Sequence, residues 1–226
     1  MVPEQAARRR RSGRAGACIA LPYRGRSPRA YLSTTFYLRG PDDEVVGRFL
    51  AANEATPLSY AAVGCTRAPA PPPGFQVDHV RVRLGEGEDA WRAAVAALGR
   101  WEMFRLGWVR VFPPNADQRE GSTVAVTIAH LGFYSLHACR VVFREEEHGD
   151  VERHGFAYGT TLAHAECGEE RFLVEWDRQS DVVSYDLVAI SRPAHPLARL
   201  GYPFTRWLQG RFREHSVAAM VQAVRG

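Results

Sequence analysis

The sequence predicts an α+β fold in which a curved antiparallel sheet packs against a long C-terminal helix. A strand and an amphipathic helix open the main body, a run of strand-like segments separated by turns follows, and a helical segment comes last. An antiparallel sheet that leaves one face in solvent must bury the other, and the terminal helix is the only large apolar element left to cover it. At 226 residues the chain allows one such domain, or two at most.

Start and stop signals assign the elements that precede the sheet. Tyr37–Arg39 is a short extended piece that ends at Gly40. Pro41 with acids directly after it predicts a helix over Asp42–Asn53, because proline suits the first helical turn and acids suit the positive end of the helix dipole. The proline-rich stretch Ala68–Gly74 predicts a stiff surface loop.

Hydrophobic periodicity assigns the main body. Alternation over Asp78–Leu84 predicts a strand, and apolar residues at three- and four-residue steps predict a helix over Glu88–Phe104. Further strands are predicted at Trp108–Phe112, Thr123–Ala129, His137–Arg144, Gly155–Thr161, Arg171–Asp177 and Val182–Ile190.

The last element is a helical segment from Pro196 to Val224. Pro203 should kink it or split it near Gly201, because proline lacks the amide hydrogen that a helix interior needs. Apolar side chains at helical spacing predict its buried stripe, namely Phe204, Trp207, Leu208 and Phe212.

The charge distribution divides the chain. Residues 1–30 hold eight arginines and one acid, whereas the remaining residues hold 21 arginines against 24 acids. We therefore expect residues 1–30 to form a disordered arginine-rich tail and residues 31–226 to form a single α+β domain. Nucleic-acid binding needs a basic surface, so we expect none through the folded domain.

Residue counts exclude several classes of protein. The chain has no lysine, which excludes a Walker-type phosphate loop and Schiff-base chemistry. No apolar run reaches the ~20 residues of a membrane-spanning helix. Its four cysteines are scattered and form no C-x-x-C pair, which is typical of reduced thiols in a cytoplasmic protein. We predict neither a cofactor nor a metal.

The order of elements resembles the helix-grip fold of the START and birch-allergen superfamily, in which a curved sheet wraps a long C-terminal helix that we expect to be kinked here. Four strings, in order, resemble the DUF1990 family, a domain of unknown function: residues 58–66, 156–160, 168–172 and 191–193. The central string retains Tyr158, His164 and the three glutamates of the family pattern but replaces its prolines. The helix-grip resemblance implies a fold with a ligand cavity between sheet and helix, and the family resemblance implies no activity.

The segment Tyr158–Glu170 concentrates ionisable groups. If the chain is an enzyme, we expect Tyr158, His164 and Glu169 to be its catalytic residues. His164 would act as acid or base, because histidine exchanges a proton near neutral pH. The same groups can instead cap backbone amides or pair with arginines. Glu170 shares a strand face with apolar residues, so it needs a partner, with Arg192 and Arg140 as candidates.

Besides an interaction protein whose arginine-rich tail docks on an acidic partner, two functions remain open at this point. The first is a cytoplasmic protein that binds an apolar or amphipathic small molecule between sheet and terminal helix. The residues predicted to bind that ligand are His137, Phe156, Tyr158, Glu170, Arg192 and Trp207. The second is a cofactor-free enzyme of secondary metabolism, of the cyclase, dehydratase or isomerase type, working through Tyr158, His164 and a glutamate.

Overall fold

The computed structural model describes residues 36–194 and 201–226. Within these residues the chain forms eight strands, and they make a single antiparallel sheet. The strands are β1 (Phe36–Tyr37), β2 (Gln76–Glu86), β3 (Val109–Phe112), β4 (Thr123–Ala129), β5 (Tyr134–Glu147), β6 (Val151–Thr160), β7 (Glu166–Asp177) and β8 (Val182–Pro193). The helices are α1 (Asp43–Asn53), α2 (Gly87–Gly99) and α3 (Tyr202–Arg225). The sheet order is β2-β8-β7-β6-β5-β4-β3, and β1 pairs with β5.

The two longer helices cover one face of the sheet, which we call the inner face. α2 and α3 pack on each other, and both contact β2 and β8. The main core lies between them and the sheet, with Trp101, Phe156, Phe172 and Met220 at its centre. This arrangement is the predicted helix-grip fold, and that prediction is confirmed.

The opposite, outer face is covered in part by α1 and the loop that follows it. Asp42 begins α1 by accepting a hydrogen bond from the Val45 amide at 2.8 Å. Val46 and Phe49 of α1 pack against small apolar residues of β4 and β5. Farther along, the outer face carries ion pairs, such as Arg171 Nη2 to Asp186 Oδ1 at 3.0 Å.

A β-bulge in β5 changes which residues share a face. Val141 is opposite Tyr158, but Phe143 is opposite Ala157, so Val142 is an extra residue in the ladder. Simple alternation would place Phe143 on the same face as Cys139 and Val141. Instead, Phe143 joins an outer cluster, where the guanidinium carbon of Arg67 lies 3.5 Å from its ring centroid.

Two helices differ from their predicted bounds. The helix predicted over Glu88–Phe104 ends at Gly99, because Trp101 takes a left-handed backbone conformation with φ of 58° and a short 3-10 helix follows. The terminal helix begins at Tyr202, so Pro203 lies in its first turn, where proline is tolerated, rather than at an internal kink. The part predicted before Gly201 lies outside the described residues.

The predicted buried stripe of the terminal helix is wrong in its first half. Trp207 is 50% exposed and Phe204 is 37% exposed. The side chains that hold α3 to the core come later in the helix: Phe212 packs against the core, and Ser216 and Met220 are fully buried. The predicted arginine-rich tail, residues 1–30, lies outside the described residues.

Candidate functional site

A cavity of about 680 Å³ lies between the inner face of the sheet and the first half of α3. This volume is within the ~300–1,000 Å³ of typical small-molecule sites. Most of its wall is apolar, including Phe104, Val109, Val126, Ile128, Leu208 and Phe212. Phe204 both lines the cavity and is partly exposed, so it lies where the cavity opens to solvent.

One polar part of the wall is a phenol–carboxyl pair on β6 and β7. Tyr158 and Glu170 are directly opposite each other in the sheet, and the Tyr158 hydroxyl donates to Glu170 Oε2 at 2.6 Å. Burial raises the pKa of Glu170 to about 7, against the lowering effects of the Tyr158 hydrogen bond and the Arg213 charge. Burial also raises the pKa of Tyr158 well above its ordinary value, and the Glu170 charge adds to this. The Glu170 carboxyl therefore exchanges its proton near neutral pH.

A second polar part is formed by four residues that we call the histidine cluster: His130, Ser135, His137 and His164. The Ser135 Oγ lies 2.6 Å from Nε2 of His130 and 2.8 Å from Nε2 of His137. The rings of His137 and His164 have centroids 4.4 Å apart. All four residues line the cavity.

The histidines of this cluster are neutral at physiological pH. Burial lowers the pKa of His164 to about 4. Burial, together with the neighbouring His164 and His130, keeps the pKa of His137 well below its ordinary value. Burial likewise lowers the pKa of His130. None of the three rings therefore supplies a positive charge to the cavity.

Glu166 lies beside the histidine cluster at the start of β7. Its backbone amide donates to Nδ1 of His164 at 2.9 Å. Burial raises the pKa of its carboxyl to about 7, against the lowering effects of Arg206 and a Ser191 hydrogen bond. Glu166 Oε1 is buried and has no hydrogen-bond partner among the residues that the structure describes.

Two arginines of α3, Arg206 and Arg213, contact a carboxylate on β2. Arg206 Nη2 donates to Asp78 Oδ1 at 2.7 Å, and Arg213 Nη1 lies 3.1 Å from the same oxygen. Burial acts to raise the pKa of Asp78, but the hydrogen bonds and charges of the two arginines outweigh it and lower that pKa. Asp78 therefore remains ionised and fixes α3 to β2 at the cavity wall, where the Arg206 charge also acts on Glu166.

The structure places the predicted site residues in two groups. His137, Tyr158, His164 and Glu170 line the one cavity. Phe156 is fully buried in the core, where its ring centroid is 4.7 Å from that of Trp101. Trp207 is on the surface of α3, and Arg192 lies with its guanidinium carbon 4.9 Å from the ring centroid of Phe75. These three do not line the cavity.

Glu169 has a different environment from its neighbour Glu170. Its carboxylate accepts hydrogen bonds from the Tyr60 hydroxyl, the Gly64 amide, and both the amide and the hydroxyl of Thr66 at 2.5–3.0 Å. Tyr60 and Cys65 belong to an outer-face cluster, so this carboxylate fastens the loop before β2 to the outside of the sheet. The predicted catalytic role needs Glu169 beside Tyr158, and its carboxylate is engaged elsewhere.

Several polar residues of the cavity were not predicted from the sequence, among them Asp78, His130, Ser135 and Arg213. Strand parity offered a signal for Ser135, because it is two residues before His137 on the same strand face. His130 follows β4 at a chain reversal, where strand alternation does not predict which way a side chain points. Among the described residues, no group of three or more histidine, cysteine or acidic side chains is arranged to hold a metal ion.

Comparisons with known proteins place the chain among relatives of similar length and sequence. Residues 59–219 match the family described as a domain of unknown function, DUF1990. A UPF0548 protein of Deinococcus radiodurans is 35% identical over 201 residues, 83% of this chain and 98% of the relative. A UPF0548 protein of Dictyostelium discoideum is 37% identical over 159 residues, 66% of this chain and 73% of the relative.

Solved structures share only a distant likeness. A hypothetical protein from Helicobacter pylori gives a TM-score of 0.43 at 14% identity, covering 66% of this chain and 89% of that protein. A Thalictrum norcoclaurine synthase point mutant gives 0.40 at 11% identity, covering 66% and 95%. Within the described part of the chain, no helix is both long and apolar enough to cross a membrane.

Proposed function

This chain belongs to the DUF1990 family, and we propose that it binds an apolar or amphipathic small molecule in the cavity between its sheet and C-terminal helix. The observation that carries the proposal is the cavity itself, about 680 Å³ in volume with mostly apolar walls. Apolar surface of this kind gains free energy when a ligand removes it from water. As part of the same proposal, we retain a cytoplasmic location.

The surroundings of the cavity support a binding role. Its apolar walls come from separate elements that the core holds in place: Phe104 contacts both Phe172 and Phe212 through ring pairs at 5.4 and 5.2 Å. The pair Asp78–Arg206 fixes α3 to β2 at the wall of this space. A site whose walls are positioned before the ligand arrives loses less conformational freedom on binding.

Titration with the neutral apolar dye Nile red, followed by its fluorescence, tests this function. We expect saturable binding with one site per chain. Ile128→Trp places a larger side chain in the cavity wall and should weaken binding at least tenfold. Val77→Trp is the matched control, because Val77 is 47% exposed and does not line the cavity. Absence of saturable binding, or equal weakening by both variants, would contradict the proposal.

One observation favours a second candidate function, cofactor-free acid–base catalysis of the cyclase, dehydratase or isomerase type. A carboxyl whose pKa is about 7 lies in the cavity and is hydrogen-bonded to a phenol, which suits proton transfer to and from a bound carbonyl compound. Exchange of α-protons of 2-decanone in D2O, followed by NMR, tests this candidate. Wild-type protein should accelerate the exchange, and Glu170→Gln should remove roughly a factor of 100 or more; no acceleration by the wild type would exclude it for this carbonyl class.

A further inference from the structure

Among the residues that the structure describes, three buried polar atoms on the cavity lining have no hydrogen-bond partner, and all three are in or beside the histidine cluster. They are His130 Nδ1, His137 Nδ1 and Glu166 Oε1. Buried polar atoms are paired in most native structures, because an unpaired one loses its hydrogen bonds to water without a replacement. A bound group that pairs with these atoms would supply that replacement. The rest of the cavity wall is chiefly apolar, so the polar end has a distinct role.

We propose that the histidine cluster and Glu166 form a head-group subsite for a neutral ligand group that both donates and accepts hydrogen bonds, of the carboxamide or lactam class. The inference rests on the proposed binding function and specifies its ligand: an apolar body along the aromatic and aliphatic walls, with an amide at the histidine end.

Counting protons within the cluster leads to this class. A serine hydroxyl has one proton, so Ser135 can donate to only one of the two Nε2 atoms that lie within 2.8 Å. The other ring, being neutral, must donate its own Nε2 proton to Ser135, which leaves its Nδ1 bare. The ring that accepts from Ser135 carries its proton on Nδ1. One of the two unpartnered Nδ1 atoms is therefore a donor and the other an acceptor.

His164 adds a further donor. Its Nδ1 accepts the Glu166 backbone amide at 2.9 Å, so the proton of the neutral ring is on Nε2. The cluster consequently places imidazole N–H donors and one imidazole acceptor close to one another on the cavity wall, with the Glu166 carboxyl beside them. A primary carboxamide has two donor hydrogens and an acceptor oxygen, and it can satisfy atoms of both kinds.

Charged head groups fit these atoms less well. An ammonium group only donates, so it leaves the imidazole N–H donors unpaired. A carboxylate only accepts, so it leaves the bare Nδ1 unpaired, and it would lie close to the carboxyl of Glu166 with no protonated histidine to balance its charge. The nearby arginines, Arg206 and Arg213, are already engaged with Asp78.

Competition against Nile red with four ten-carbon probes at pH 7.5 tests the subsite: decanamide, decanoate, decylamine and decane. We expect decanamide to bind the wild-type protein at least tenfold more tightly than any of the other three. His137→Phe should abolish this preference while Nile red binding persists. His148→Phe is the matched control, because His148 lies on the β5–β6 hairpin outside the cavity lining, and it should retain the preference.

A second variant keeps the test valid if His137→Phe fails to fold. Ser135→Ala removes the hydroxyl that orders both imidazoles, adds no bulk, and should reduce the decanamide preference to less than threefold. A wild-type preference for decanoate or decylamine, or equal affinity for all four probes, would overturn the subsite. Failure of Nile red itself to bind would instead contradict the proposed function, so the two outcomes are distinguishable.

Discussion

Glu169 and Glu170 are adjacent in the sequence and have opposite environments. Alternation along β7 predicts that they face opposite sides of the sheet, and it predicts that Glu170 shares its face with Phe172, Val174 and Trp176. Alternation does not predict the hydrogen-bond partners of the two carboxyl groups, because these partners lie on elements distant in sequence. Tyr158, opposite Glu170 in the register, is its partner, whereas Arg140 contacts Thr123 and the Glu54 carbonyl.

The raised pKa of Glu170 predicts a pH-dependent effect of Glu170→Gln. The folded-state pKa of about 7 exceeds the ordinary 4.5, so the native state holds this proton more tightly, and the stability that the group contributes falls as pH rises from about 4.5 to 7. Glutamine does not titrate. We expect the variant to gain on the order of 1–3 kcal/mol relative to wild type between pH 5 and 8.

Urea unfolding of both proteins at several pH values measures this difference. The buried histidines and Glu166 titrate in both proteins and cancel. Tyr158 and Asp78 act on the Glu170 carboxyl, but the pKa of Tyr158 is raised and that of Asp78 is lowered, so neither titrates between pH 5 and 8. A stability difference that stays constant between pH 5 and 8 would show that the Glu170 carboxyl titrates normally.

Glu169→Gln should behave in the opposite way. Its carboxylate accepts four hydrogen bonds, and an amide nitrogen in place of one oxygen would face donors with another donor. We expect a loss of roughly 2–4 kcal/mol in the free energy of unfolding, with Nile red affinity per folded molecule unchanged. Tyr60→Phe, which removes one of these bonds, should cost less. If Glu169→Gln weakened Nile red binding without lowering stability, Glu169 would belong to the binding site in the cavity.

At the scale of elements, periodicity located the strands more reliably than the faces of the last helix. The strand Thr123–Ala129 has the predicted bounds, and the other long strands extend beyond theirs, because their ends carry charged residues that break the apolar pattern while backbone pairing continues. In α3, helical spacing identified apolar positions but not which of them meet the core. The cavity occupies the space next to the first half of α3. Phe204 lines this cavity, and Trp207 is half exposed, with its ring centroid 5.7 Å from that of Phe204.

Alanine substitutions along α3 separate its two halves. Trp207 is 50% exposed and Met220 is fully buried. We expect Trp207→Ala to cost less than about 1 kcal/mol, since surface substitutions have small effects, and Met220→Ala to cost roughly 2–5 kcal/mol, since it opens a cavity in the core. Chemical denaturation measures both. Equal losses would mean that the whole length of α3 is packed on the sheet.

At the scale of the molecule, the order of elements was enough to predict the fold class, and the resemblance to the helix-grip fold implied a cavity between sheet and helix. Neither could predict the polar composition of that cavity, because His130, Ser135 and His164 are contributed by separate strands and turns. Their proximity depends on sheet register and on the chain reversal after β4. The bulge at Val142 likewise depends on how β5 and β6 pair, which no local pattern specifies.

The division of charge leads to a prediction about the whole chain. Residues 1–30 hold eight arginines, and the remainder has more acids than arginines. Deleting residues 1–30 should leave the thermal midpoint within about 2 °C of the full chain, because a polar, arginine-rich segment buries little apolar surface. The shortened protein should not be retained by DNA or RNA at moderate salt. Tight, salt-sensitive retention of the shortened protein would show that the folded part has a nucleic-acid surface of its own.

The pairing of β2 with β8 joins parts of the chain that are far apart in sequence. His79 of β2 and Asp186 of β8 are 107 residues apart, and the Tyr60–Glu169 hydrogen bond spans 109 residues. Both connections join early residues to strands synthesised much later, so a large loop must close before either forms. Domains dominated by such non-local pairs fold in milliseconds to seconds rather than microseconds. Until β8 emerges, β2 has no partner strand, and the inner face that becomes the cavity wall is exposed to the cell's other proteins.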